Sequence, residues 1–373
     1  MKVQHWAGTL GAVATLLAVA GAADAYEIRA FAAASRKATL EDFTPKLDRA
    51  ENRANKFYAE QYSFAFEMED GYGFWFQIVL SNMGLANGRG AVLAHFTPKG
   101  GQKIKSETGF GRDRWSYKTD GRNIEITLGE NRFRGDGTTW SVTLKNDAFE
   151  AEGVVKNSVP AWRPGGGSAF YGAGAGSYYD MTILTPRGTF EGDVTVKATG
   201  EKHHVKGLAF GDNSAINVAP NLQAHSWIRM RTVTGKYTLS VTAFQTTEQY
   251  GSSWVGWFFI ASDKRMVAFG VNPSIDLAEF ERDEKTGYDV PKVVLLSGAT
   301  GIDGFVAGIK GTKRTKRQDR LASLDKLEAA VASKLVKPVV FTYDSSFELQ
   351  FKDGTDVRSY KGKASYSYEQ MNK

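Results

Sequence analysis

From Phe57 onward the chain alternates apolar and polar residues with a period of two. Phe64, Phe66 and Met68 alternate with Ala65, Glu67 and Glu69, and Phe74, Phe76, Ile78 and Leu80 line one face after Asp70-Gly71. Successive strand side chains point to opposite faces, so this is a strand signal, and Asp-Gly marks a hairpin. Trp75 is out of phase with Phe74 and Phe76, so one set faces a core and the other faces away. Further strands are predicted at 91–96, 115–118, 124–128, 139–144 and 149–155, with turns at Lys99-Gly100-Gly101, Asp120-Gly121 and Gly135-Asp136-Gly137. The second half repeats the theme at 237–243, 254–260, 265–271, 290–296, 305–310, 347–351 and 357–360, with Asp353-Gly354 as a turn. Short strands with turn signals at such spacing predict a barrel or sandwich, not a βαβ fold.

One segment reads differently. Leu321, Leu324, Leu327, Val331 and Leu335 recur at helical spacing and predict a helix over 315–336. The glycine-rich run 160–178 predicts a linker or a rim loop, since no helix pattern follows that would make it a phosphate cradle. Residues 26–56 predict a linker with a short helix after Thr44-Pro45.

Composition narrows the class. Forty glycines, 23 Phe, 15 Tyr and 8 Trp against 9 Pro suit an all-β chain with tight turns and aromatic cores. With no cysteine, disulfides and thiolate chemistry are excluded. The length of 373 residues fits two domains. At the start, Lys2, the apolar run Thr9–Ala20 and Ala23-Asp24-Ala25 predict a signal peptide over 1–25, cut after Ala25, and a periplasmic or secreted protein. The net charge of +6 favours an anionic neighbour such as a membrane surface, and no nucleic-acid partner is expected.

Several segments together resemble the survival-factor family of tandem-lipocalin proteins, related to carotenoid hydratases and to AttH-type proteins. They are DGYGFWFQIVLSNMG from Asp70, HFTPKGG from His95, Thr185-Pro186-Arg187, Phe190-Glu191-Gly192, Val205-Lys206-Gly207, and Phe244-Gln245-Thr246-Thr247 with Tyr250-Gly251-Ser252-Ser253. The resemblance implies two lipocalin-like (calycin) antiparallel β-barrels in tandem, with boundaries set at 57–218 and 219–373. It also implies a hydrophobic ligand, sphingolipid-, sterol- or isoprenoid-like, held in or between the barrels. In the hydratase branch it implies acid-assisted water addition to an isoprenoid, with an Asp-His pair after the mid-chain glycine strand. Here Asp212 is followed by Asn213.

The expected activity is therefore a non-enzymatic lipid carrier without cofactor or metal; the alternative is an isoprenoid hydratase or cyclase with Asp212 as general acid. Otherwise Gly211-Asp212-Asn213 reads as a turn. Trp75, Trp115, Trp140, Trp254 and Trp257 are the candidate ligand-contacting indoles, and Trp227, Arg229 and Arg231 share one strand face where a head group could be met. Lys313, Arg314, Lys316 and Arg317, at the start of the expected helix, are the candidate contact with an anionic membrane.

Overall fold

The computed structural model describes residues 27–83, 88–172, 174, 176–234, 236–300, 303–323, 333 and 336–371. The expected signal peptide lies outside them. The described chain is nearly all β and divides into two compact units. The first holds residues 36–163 and 179–217; the second holds 218–371 together with 27–35 and 164–178. Among the described residues no helix is long and apolar enough to cross a membrane.

In the first unit the strands follow one antiparallel path: Ile104–Phe110, Arg89–Thr97, Gly73–Ser81, Ala59–Met68, Lys202–Ile216, Tyr178–Val196, Phe149–Asn157, Thr139–Lys145, Asn131–Gly135, Ile124–Leu128, Trp115–Thr119. The meander's first strand thus pairs with its last, and the sheet opens between the fourth and fifth. Across that opening the Trp115 indole donates to the carbonyl of Gly88, the residue before strand Arg89–Thr97, at 2.6 Å. The result is a nearly closed barrel.

Of the two faces that the alternation separates, the Phe face is its interior. Phe64, Phe76, Phe96 and Phe133 are fully buried, and Phe133 stacks on Trp140 with centroids 4.9 Å apart. Gly135 lies opposite Trp140, and a Cβ there would come 2.2 Å from the indole, so only glycine admits this ring. Burying each such ring stabilises by roughly 1.5–3 kcal/mol. The Asp70-Gly71 hairpin forms as predicted, with both residues at positive φ (58° and 80°), a region open to glycine and tolerated by aspartate.

The second unit is a half-barrel with the path Met266–Val271, Trp254–Ala261, Tyr237–Gln245, Ser226–Thr234, Asp356–Gln370, Val339–Asp353, Asp303–Asp319, Asp289–Thr300, Ser274–Arg282. Again the first strand pairs with the last and the sheet opens between fourth and fifth. The connection there is Asn272-Pro273, with Asn272 at φ 50°, and a proline cannot donate to a ladder. Its core runs from Ile228 and Met230 through Val241, Phe258, Val294 and Ile309 to Phe341, Tyr343 and Tyr366.

Two expectations are corrected. The helix does not begin at 315, because Asp303–Asp319 is a single strand paired with Val339–Asp353, followed by a 3-10 turn at Arg320–Ser323. Cross-strand pairing decides those residues, whereas the leucine spacing came from residues further on; half of the predicted helix (324–332, 334 and 335) lies outside the described residues. The glycine-rich run is not a structureless linker over its described part. Trp162–Arg163 and Ser168–Tyr171 are strands flanking a 3-10 turn at Pro164–Gly167, and much of it is buried.

Candidate functional site

The basic run of the second unit is where strand geometry departs most from simple alternation. Asp303–Asp319 carries register irregularities between Gly311 and Lys313 and between Arg314 and Lys316. Each extra residue resets the alternation. Arg314 therefore lies opposite Tyr343 and Arg317 opposite Phe341, both core residues, while Lys313 faces Asp344 and Lys316 faces Thr342. The two arginines share the inner face. The lysines do not.

Both guanidiniums converge on Asp283, which is 2% exposed. Arg317 reaches it through Nε at 3.0 Å and a terminal nitrogen at 3.1 Å, and Arg314 at 3.4 Å. Thr286 Oγ1 donates to the same carboxylate at 2.7 Å, and Glu281 takes Arg314's other terminal nitrogen at 3.1 Å. Burial would raise the Asp283 carboxyl, but bonds from Arg317 and Thr286 leave it below its ordinary value. The Phe341 ring lies 5.8 and 5.9 Å from the two guanidinium carbons. Beside them Tyr343 stacks on Tyr366, 5.2 Å between centroids and 11° between planes. The Tyr366 hydroxyl donates to the Pro291 carbonyl, whereas the buried Tyr343 hydroxyl has no hydrogen-bond partner among the described residues. Burial, then the charge of Glu281, pushes the Tyr343 phenol up to about 12.

Strand Ser226–Thr234 assembles a second group. Ile228 and Met230 enter the core, which turns Trp227, Arg229 and Arg231 to the opposite face, as the alternation predicts. Trp227 packs on Phe244 at 4.7 Å, and the Arg229 guanidinium sits 4.5 Å over the indole. Arg229 also bonds Glu369 at 2.8 Å, and Arg320 meets the other oxygen of that buried carboxylate at 3.2 Å. Burial would raise Glu369; the charges of Arg229 and Arg320 outweigh it and hold the carboxyl below its ordinary value. Arg231 is half-buried on the same strand. Trp254 packs partly buried against the core, and Trp257, on the other face, meets Phe31 edge-on at 5.8 Å.

In the first unit the candidate indoles separate. Trp140 is inside the barrel, Trp115 closes its opening, and Trp75 is on the outer face, stacked on His95 at 5.6 Å. Asp212 does not sit in a turn. It lies within strand Lys202–Ile216, opposite Ile183 and Ser63, half-buried, while Asn213 points the other way and is fully buried. Pairing on both sides overrides the turn preference of Gly-Asp-Asn.

Asn213 belongs to a buried ionic cluster that sequence reasoning missed. Its amide donates to Glu60 at 3.1 Å and its carbonyl accepts from Lys46 at 3.3 Å. Lys46 Nζ also donates to the Asp42 carbonyl at 2.8 Å and lies 3.5 Å from Asp180. Arg163 forks onto Asp180 at 2.8 and 2.5 Å and reaches Asp42 at 3.2 Å; Arg36 forks onto Asp42 at 2.6 and 2.7 Å. Glu60 further accepts from Tyr58 at 2.6 Å, Tyr62 at 3.0 Å and the Lys46 amide at 2.7 Å. Three acids thus face three bases. Burial would raise Asp42, but Arg36, Thr39 and Arg163 bring it below its ordinary value. The members come from five separate segments, so no spacing in the chain announces them; charged residues beside Pro45 and within the glycine-rich run were the available signal.

The fold is shared with known structures. CghA with Sch210972 aligns with a TM-score of 0.59 at 10% identity, over 92% of this chain and 95% of that one. The AttH-type protein of Nitrosomonas europaea aligns with a TM-score of 0.52 at 13% identity, over 89% of this chain and 98% of that one. At such identities the likeness is one of fold, and these neighbours are lipocalin-like. No curated relative matches in sequence. Residues 13–369 match the model of the Svf1 family, so this tandem-barrel chain belongs to the Svf1 family.

Proposed function

We propose that the protein is a periplasmic carrier of a lipid-like ligand, with the polar end of that ligand met at Trp227 and Arg229. The observation that carries the reading is the pairing of an indole with a guanidinium that is itself part-exposed and anchored on a carboxylate shared with Arg320. Trp227, buried between Phe244 and the guanidinium, fixes Arg229 in place, and Arg229 retains N–H donors for a phosphate or carboxylate. Family membership and barrel-like sheets in both units fit a ligand-binding protein, and the N-terminal sequence fits export. CghA, solved with Sch210972, fits a fold that takes a small ligand.

The test is native mass spectrometry of protein purified from its own periplasm, followed by organic extraction. A stoichiometric lipid supports the reading, and Arg229→Gln and Trp227→Ala are expected to weaken its uptake by the delipidated protein on the order of tenfold. Protein that co-purifies empty and takes nothing from vesicles rejects it. Export is checked separately, by fractionation and an N-terminus beginning at Tyr26.

A further inference from the structure

We propose that the inner end of the second unit's half-barrel is an anion-binding site, in which Arg314, Arg317 and Tyr343 together receive a carboxylate or phosphate group. Three observations converge on it. Two strand irregularities in close succession place Arg314 and Arg317 on the inner face, where strict alternation would not put both. A bulge that re-aims a side chain beside a site is a recurrent feature of functional sheets. Asp283 and Glu281 fix these arginines without exhausting them. A guanidinium has five N–H donors. Arg317 uses Nε and one terminal nitrogen on Asp283, and Arg314 uses its two terminal nitrogens on Asp283 and Glu281. Arg317's remaining terminal nitrogen and Arg314's Nε stay available, and both side chains keep partial exposure, 21% and 30%. The Phe341 ring holds both planes.

The third observation is the phenol. A buried hydroxyl without a partner is costly, and its neighbour Tyr366 does find one. Tyr343 lies directly opposite Arg314 in the strand register, so it belongs to the same locality. Its O–H is the donor that an incoming anion would satisfy. Gly311 lets the strand pack closely on the tyrosine pair, since a Cβ there would come 3.0 Å from the Tyr343 ring. The ligand class is a small oxyanion, either free or as the head of an amphiphile whose chain enters the apolar core.

Calorimetric titration of the full chain with inorganic phosphate, octanoate and octanol tests this. A saturable response to an anion but not to octanol is expected. Phosphate as tight as octanoate identifies the free ion as the source; octanoate alone, or clearly tighter, identifies an amphiphile's head. Tyr343→Phe, which keeps the ring and removes only the orphaned hydroxyl, is expected to weaken the anion about tenfold, as are Arg314→Gln and Arg317→Gln. Lys313→Gln and Lys316→Gln, off the inner face, are expected to stay within about twofold of the parent. The assignment fails if neither anion saturates below about 1 mM, if octanol binds like octanoate, if Tyr343→Phe titrates like the parent, or if the lysine variants lose as much as the arginine ones. The readout uses free anions and stands whether or not a lipid is carried at Trp227 and Arg229.

Discussion

Each unit buries carboxylates in the grip of arginines, and the two clusters are finished differently. Around Glu60 in the first unit, two tyrosine hydroxyls, an asparagine amide and the Lys46 backbone N–H saturate the carboxylate, and the buried Arg163 Nε, which makes no hydrogen bond among the described residues, still lies 3.2 Å from Asp42 as an ion pair. Around Asp283 in the second unit, the arginines stay partly exposed and the adjacent Tyr343 hydroxyl is left over. Closed networks hold elements together: the first ties residues 36–49 to the strands Ala59–Met68 and Tyr178–Val196. An unfinished network retains bonding capacity for something else. Burial of charge alone therefore does not separate latch from site; the inventory of donors does.

Breaking the closed cluster is expected to have the largest effect. Arg163→Leu leaves Asp180 buried without its fork and takes one contact from Asp42, which keeps the fork from Arg36, and should cost about 3–5 kcal/mol in urea unfolding. A cost under 1 kcal/mol would mean that solvent reaches the cluster and that it latches nothing. The aromatic interior provides a polar-free reference: Phe64→Ala should cost about 3–5 kcal/mol by leaving a cavity among stacked rings. Next comes Tyr62→Phe, which removes donation to Glu60 and to the Phe43 carbonyl and should cost about 1–3 kcal/mol. The matched change in the other unit, Tyr343→Phe, should be neutral or stabilising by up to about 1 kcal/mol, since no bond is lost. Equal losses for the two tyrosines, read by the same unfolding curves, would erase the distinction drawn here.

Acid sharpens the comparison in another way. Asp42 and Asp283 are both more acidic in the folded protein than in the open chain, so the unfolded state takes up protons first. The stability they contribute is complete at neutral pH and is lost as pH falls below about 4. Asp42→Asn and Asp283→Asn should each flatten the fall in melting temperature between about pH 5 and pH 2, and unchanged slopes would remove the carboxyls from the account.

Much of the fold was legible in the chain. Alternation separated Phe74 and Phe76 from Trp75 onto two faces, but only the structure shows that the Phe set is the core and that Trp75 lies outside. The same logic placed Trp227 and Arg229 together. It failed where pairing overrides local preference, as at Asp212, and where residues outside the paired segment dominated the pattern, as in the expected helix. It also had no means to separate Arg314 and Arg317 from Lys313 and Lys316, since the irregularities that sort them appear only against the partner strand.

The sequence by itself determined the all-β class, the two-part organisation and the hydrophobic face of each strand, because these rest on period-two patterning and on glycine at turns. The tertiary structure alone decided which charged residues meet. Lys46, Glu60, Arg163, Asp180 and Asn213 are spread along the chain, while Arg314 and Arg317 share one strand, Tyr343 lies on the next and Asp283 just past the end of a third. Strand register and bulges bring them within hydrogen-bond reach, and register is a property of pairs of strands that no single segment encodes.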